Sequence, residues 1–214
     1  MILTRDNDAN VPIGVRCAMI NIRTLEAVRS TRSNANEIAE INRLIGTMRS
    51  IINNPALGHE YMNIDPFNAA RTIHPDLRRI FEWQNNPVIR NNFLVISLHS
   101  NAANNTTARG AEVYFIDPNV RANTRAYFQG YTFTAESRSF GNNLLNHIHS
   151  TGIPRRANGL RAENFAMIRE INVPAVLAEN GFHTNPIDRS MLSNPDYRQS
   201  LAVAYRNAIL EHFR

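Results

Sequence analysis

Phe93-Leu94-Val95-Ile96-Ser97, running on into Leu98-His99-Ser100-Asn101, is the stretch on which the fold turns. The run is apolar at consecutive positions and only a strand's length. That pattern predicts a central strand of a parallel sheet, covered on both faces. Downstream, Ala111-Glu-Val-Tyr-Phe-Ile116 alternates more and predicts a second strand nearer an edge. Pro174-Ala-Val-Leu-Ala178 predicts a third, ending on Glu179-Asn180-Gly181. Between them Phe140, Leu144, Leu145 and Ile148 fall at helical spacing, closed by Gly152 and Pro154. A last helix is expected over 196–213, with Tyr197, Leu201, Ala204, Ala208 and Phe213 turned inward. Strands separated by helices make this an α/β chain, a mostly parallel sheet flanked by helices.

Upstream of Phe93 the pattern is helical. Ile38, Ile41, Leu44, Ile45, Met48, Ile51 and Ile52 recur every three or four residues, which predicts an amphipathic helix stopped by Asn53-Asn54-Pro55. Residues 55–75 read as loop, and Leu77, Ile80 and Phe81 predict a short helix over 76–84. Met1-Ile-Leu-Thr-Arg5 reads as the tail of a strand, followed by a polar turn.

The totals narrow the classes. With 214 residues and 43% apolar residues the chain can bury a core, and that length suits one domain spanning 1–214. No apolar run approaches the ~20 residues of a membrane span, and Met1–Asn10 lacks the basic start and apolar stretch of a signal peptide. Cys17 is the only cysteine, so an internal disulfide and a thiolate cluster are excluded and any metal must be held by His and carboxylate. The formal charge is +5, and every basic residue is arginine; these are spread along the chain rather than gathered in a run, which argues against nucleic acid.

Ligands of parallel sheets collect at the carboxyl ends of strands. That rule points to His99 after the first strand and to Glu179 after the last. A lone histidine there is more often a hydrogen-bonding turn residue than a ligand or acid/base group, so context has to decide. A carboxylate closing an apolar strand needs a metal, a donor or water, because its desolvation is costly. Taken singly, neither residue decides.

Taken in order, the motifs do more. Val95-Ile-Ser-Leu-His99-Ser-Asn101-Ala102, then Gly110-Ala-Glu-Val-Tyr-Phe115, then Pro174-Ala-Val-Leu-Ala-Glu179-Asn-Gly181-Phe182-His-Thr-Asn185 resemble the C-terminal motifs of the zinc-dependent N-acetylmuramoyl-L-alanine amidases called amidase type 3. Leu3-Thr4-Arg5-Asp-Asn-Asp8 with Val11-Pro12 and Arg16 is similar to that family's second strand and following loop, which makes 17–90 a helical insertion between the second family strand and the strand carrying His99. The resemblance implies a peptidoglycan hydrolase of the cell envelope. Its Zn²⁺ would be held by two His and one Glu, with His99 as the second histidine and Glu179 as the carboxylate that moves the proton.

The resemblance also implies a shortfall. The family's first zinc histidine, in a Gly-His-Gly-Gly strand, and its glutamate ligand both precede the segment similar to Leu3–Arg5, so the domain is expected to be N-terminally incomplete. Gly58-His59-Glu60 is the one stretch offering both ligand types, but neighbouring side chains diverge and no strand precedes it. His147 and His149 stand two apart on a helix, His212 lies near the C-terminus, and His183 is placed to touch substrate rather than a metal. Two other functions stay open: a degenerate amidase domain that binds the wall without cutting it, and hydrolysis of another amide in the manner of a zinc carboxypeptidase. The insertion is expected either to gate the site or to be solvated decoration.

Overall fold

The computed structural model describes residues 1–5, 7, 9–61, 73–119 and 130–214. In chain order the helices and strands are α1 (Ile13–Arg29), α2 (Ala35–Asn53), α3 (Gly58–Tyr61), α4 (Pro75–Gln84), α5 (Pro87–Asn92), β1 (Val95–Asn101), β2 (Ala111–Phe115), α6 (Thr134–His149), β3 (Arg155–Ala162), α7 (Ala166–Arg169), β4 (Ala175–Phe182), α8 (Pro186–Ser193) and α9 (Pro195–His212). They divide into two compact units. One holds residues 1–93, 118–133 and 164–173; the other holds 94–117, 134–163 and 174–214.

The first unit is helical among its described residues. α1 packs on α2 and α4, burying Leu25, Val28, Ile41, Leu44, Ile45, Met48, Leu77, Ile80 and Phe81. The predicted face of α2 is the one buried. At its centre lies a polar knot: Gln84 Nε2 donates to Asn21 Oδ1 and Thr24 Oγ1 at 2.8 and 2.7 Å, while its Oε1 accepts from the Asn172 amide at 2.9 Å. All four residues are buried, so each polar group needs the partner it has. α1 was not foreseen. It runs across the boundary set at Cys17, and the expected loop after Pro55 begins instead with a 3₁₀ turn over Pro55–Leu57 and then α3. Of that loop, residues 62–72 lie outside those described.

The expected strand at Met1–Arg5 is absent. Met1, Ile2 and Leu3 stand exposed and outside any described strand, with no ladder to satisfy an extended backbone.

The second unit carries the sheet, in the order β1-β4-β2-β3. β1 with β4 and β2 with β3 run parallel, and β2 with β4 antiparallel. Two expectations reverse here. β1 is an edge of the described sheet, with Val95 and Ile96 only half-buried, whereas β2, expected near an edge, lies inside it with all five residues buried. The apolar run of β1 predicts two covered faces; in the structure Ile96 packs against the core on one face, Leu98 stands exposed, and the other face turns from Val95 to the polar Ser97, His99 and Asn101. β3 went unforeseen because Arg155-Arg-Ala-Asn-Gly-Leu-Arg-Ala162 carries three arginines and a left-handed Asn158 (φ 56°), the opposite of a strand signature.

Alternation then sorts the side chains. Ala111, Val113, Val176 and Ala178 join Phe140, Leu144, Leu145 and Ile148 of α6 and Tyr197 and Ala208 of α9 in one core. The residues that alternate with them, Glu112 and Tyr114 on β2 and Glu179 on β4, fall on the other face. Helices α8 and α9 start alike, as does α5 in the first unit: Asn185-Pro186, Asn194-Pro195 and Asn86-Pro87 place an Asn oxygen on backbone amides of the first turn, and the proline where no amide is needed.

Candidate active site

Strand register brings the two candidate residues together. His99 of β1 is paired with Glu179 of β4, and Glu179 is paired in turn with Glu112 of β2. Directly paired residues project to the same side of a sheet, so His99, Glu179 and Glu112 form a row across three adjacent strands, about 4.8 Å apart from strand to strand. β1 and β4 both run past their predicted ends, to Asn101 and Phe182, so both residues sit inside strands rather than in the loops after them.

Each member of the row is held differently. His99 is exposed, and its Nε2 lies 2.9 Å from Ser97 Oγ, a hydrogen bond that fixes the plane of the ring. Behind it, Tyr205 of α9 donates to Asn180 Oδ1 at 2.8 Å, and Asn180 Nδ2 donates to the His99 carbonyl at 3.1 Å, tying β1 to β4 at the level of the site. Glu179 is half-buried, and its Oε2 is buried without a hydrogen-bond partner. Desolvation, and next the neighbouring Glu112 carboxylate, push its carboxyl up from 4.5 to about 7.

Glu112 is almost wholly buried yet well supplied. It accepts from Asn101 Nδ2 at 2.8 Å and from Tyr114 OH at 3.0 Å, with Arg161 at 3.3 Å and Arg156 at 3.6 Å. Two carboxylates facing each other across one strand spacing therefore live in opposite surroundings, a division that suits one of them to hold a proton near neutrality. Glu112, Arg156 and Arg161 were not singled out from sequence. Glu112 lies within the Gly110–Phe115 motif, and its alternation with Val113 and Tyr114 is the available signal; the arginines carry none, because Arg155–Ala162 has no strand signature.

The turn beyond the site is locked by Asp188. Its fully buried carboxylate accepts from the amides of Gly110 and Phe182 at 2.7 and 3.1 Å and faces Arg109 at 3.2 Å. Gly181 has φ 115°, and a Cβ there would meet Ile153 Cδ1 at 2.6 Å, so any side chain at this position is strained.

Of the other histidines named above, only His183 lies close to this row. His147 meets Glu211 at 3.2 Å, His149 Nδ1 bonds the Ile153 carbonyl, and His212 packs edge-on to Phe140. His183 Nδ1 is 3.2 Å from Ser100 Oγ, one residue from His99 along β1. His59 and Glu60 belong to α3 in the helical unit. An imidazole and a carboxylate are donors zinc accepts. Among the described residues, however, no group of three His, Cys, Asp or Glu side chains could hold an ion, so they do not by themselves make a closed site.

Residues 72–211 match the amidase type 3 family, described as N-acetylmuramoyl-L-alanine amidase. The chain belongs to that family. The match takes in every strand of the sheet but begins after Leu3–Arg16, so the likeness proposed for that opening segment falls outside it. Among relatives of this amidase-family chain, the probable cell wall amidase LytH of Staphylococcus aureus is 30% identical over 118 residues, 55% of this chain and 34% of that protein. The LytH of Staphylococcus epidermidis is 26% identical over the same shares. The chain thus spans about a third of the length of the curated relatives it matches. Similar solved structures include the N-acetylmuramoyl-L-alanine amidase of Clostridium difficile 630, 28% identical with a TM-score of 0.46, covering 58% of this chain and 61% of that one. The catalytic domain of CwlV, an N-acetylmuramoyl-L-alanine amidase of Bacillus (Paenibacillus) polymyxa, is 23% identical with a TM-score of 0.45, covering 64% of each.

Proposed function

We propose that this chain carries the proton-transfer half of a zinc-dependent peptidoglycan amidase of the cell envelope, which hydrolyses the amide between N-acetylmuramic acid and L-alanine. The observation that carries the proposal is the register pair His99–Glu179, with an unpartnered carboxyl oxygen beside an oriented imidazole. In this scheme His99 would be one ligand of Zn²⁺, and the remaining donors would have to be supplied beyond the clusters that the described residues form. Zinc, when bound, supplies a water acidified to about 7 and a polarised carbonyl.

The chain's own part is proton movement. A carboxyl poised at about 7 changes protonation state at little cost near neutral pH, so Glu179 takes a proton from the attacking water and returns it to the departing alanine nitrogen. Ser97 keeps the His99 ring in one orientation, as hydrogen-bonded neighbours of metal ligands do. Zinc content and release of stem peptides from purified peptidoglycan, measured on the same samples, test this. Glu179→Gln should abolish release and keep zinc, and His99→Ala should lose zinc. Release that persists in Glu179→Gln, or that ignores chelation, refutes it.

A second function has one observation in its favour, the lack of a three-donor group among the described residues. It is wall binding without hydrolysis, aided by the net charge of +5. Co-sedimentation with peptidoglycan, combined with no peptide release at any zinc concentration, would select it.

A further inference from the structure

We infer that Arg161, with Arg156 beside it, is a carboxylate-recognition subsite that reads the stem peptide two or three residues from the amide to be cleaved. The inference rests on the amidase reading for the identity of the substrate.

Four observations on one face of the sheet lead to it. First, positive charge gathers here: the guanidinium groups of Arg156 and Arg161 both face the one buried carboxylate of Glu112, at 3.6 and 3.3 Å. Second, the arginines reach water although the carboxylate does not. The Arg161 side chain is 44% exposed and that of Arg156 36%, against 3% for Glu112. Third, Arg161 is fixed before any ligand arrives. Its guanidinium stacks over the Tyr114 ring at 5.0 Å, and both its polar contacts, to Tyr114 OH at 2.7 Å and Glu112 Oε1 at 3.3 Å, are made by Nη2. Nη1 and Nε remain to donate. A planar fork held in place and partly exposed is the arrangement that binds carboxylate with direction as well as charge. Arg156 is steadied likewise, over the Phe182 ring at 4.9 Å.

The fourth observation sets the distance. Arg161 of β3 is paired with Tyr114 of β2, and its guanidinium reaches back to Glu112, which is paired with Glu179 of β4, so the guanidinium lies one to two strand spacings, roughly 5–10 Å, from the strand of Glu179. An extended peptide advances about 3.3–3.6 Å per residue. A stem whose first amide lies at Glu179 therefore brings its second or third residue to Arg161. The second stem residue of peptidoglycan is a D-glutamate linked through its side chain, whose α-carboxyl is either free or amidated. The subsite would favour the free acid.

Equilibrium binding of two probes in zinc-free buffer tests this without relying on hydrolysis: N-acetylmuramoyl-L-alanyl-D-glutamate and the same compound ending in D-isoglutamine. The wild-type chain should bind the acid about 5–10-fold more tightly at low salt, the scale of one charge-assisted pair at a partly exposed site. Arg161→Gln should bring the ratio close to one, and Arg161→Lys should restore part of it. Equal binding of both probes by the wild type, or an unchanged ratio in Arg161→Gln, overturns the subsite and leaves the amidase reading standing. Failure to bind either probe removes both. Should Arg161→Gln fold poorly by circular dichroism, the comparison of probes on the wild type still decides.

Discussion

Replacing Glu179 by Gln is expected to stabilise the chain at alkaline pH while removing its proposed chemistry. In the folded chain the carboxyl keeps its proton up to about pH 7, whereas an ordinary carboxyl loses it near 4.5. Between those values the folded state binds more protons than the unfolded one. Stability therefore falls as pH rises through that window, and the cost is fully present above it. At 1.36 kcal/mol per pKa unit, a rise from 4.5 to about 7 would amount to ~3 kcal/mol for a group sealed from water. Glu179 is half-buried, so solvent screening reduces this to about 1–2 kcal/mol. The assay is urea unfolding of both proteins in metal-free buffer near pH 8 and again near pH 4.5, comparing the differences. Gln resembles the protonated side chain in size and also leaves a buried polar atom, so the acidic pair removes those common terms. A gain near pH 8 that shrinks to a few tenths of a kcal/mol in acid is the expected result. A Gln variant no more stable than wild type near pH 8 would show that the carboxyl is ordinarily solvated, and the reasoning about its surroundings would fail.

Three further perturbations have definite signs. Gln84→Leu strands Asn21, Thr24 and the Asn172 amide in the buried knot and should cost about 2–4 kcal/mol in denaturant unfolding. Asp188→Ala leaves the Gly110 and Phe182 amides and Arg109 without their shared acceptor; a loss of about 3–5 kcal/mol is expected, with faster hydrogen exchange at both amides. Gly181→Ala combines a left-handed backbone with a 2.6 Å approach to Ile153, and should lower the melting temperature by an amount equivalent to about 1–3 kcal/mol.

Legibility from sequence followed the physics of each element. α2, α4, α6 and α9 were readable because each buries one stripe of a helix against a core, which forces apolar residues to recur every three or four positions. β4 was readable because seven of its eight residues are buried. β3 was not. Its arginines answer to Glu112 and Tyr114 on the neighbouring strand, and a charge whose partner is remote in sequence looks like a charge bound for solvent. The same non-locality concealed Glu112 as a member of the site. His99 and Glu179 were found by the rule that parallel strands offer ligands at their carboxyl ends, but they are neighbours for a different reason: parallel pairing of β1 with β4 in a register that starts at Val95 and Ala175.

The misplacement of β1 bears on the chemistry as well. A continuous apolar run was read as a strand covered on both faces, yet β1 is an edge of the described sheet, and Ser97, His99 and Asn101 lie along it at alternate positions. An edge position is what allows His99 to be exposed while Glu179, one strand further in, loses enough water for its carboxyl to rise to about 7. Burying both would add the desolvation of the imidazole to that of the carboxyl; exposing both would return Glu179 to an ordinary carboxylate, ionised throughout the neutral range and a poor proton donor to a leaving amine. The gradient of burial across a single strand spacing is therefore the property of the fold that the proposed hydrolysis needs most, and it follows from the sheet order, which the sequence of no single strand specifies.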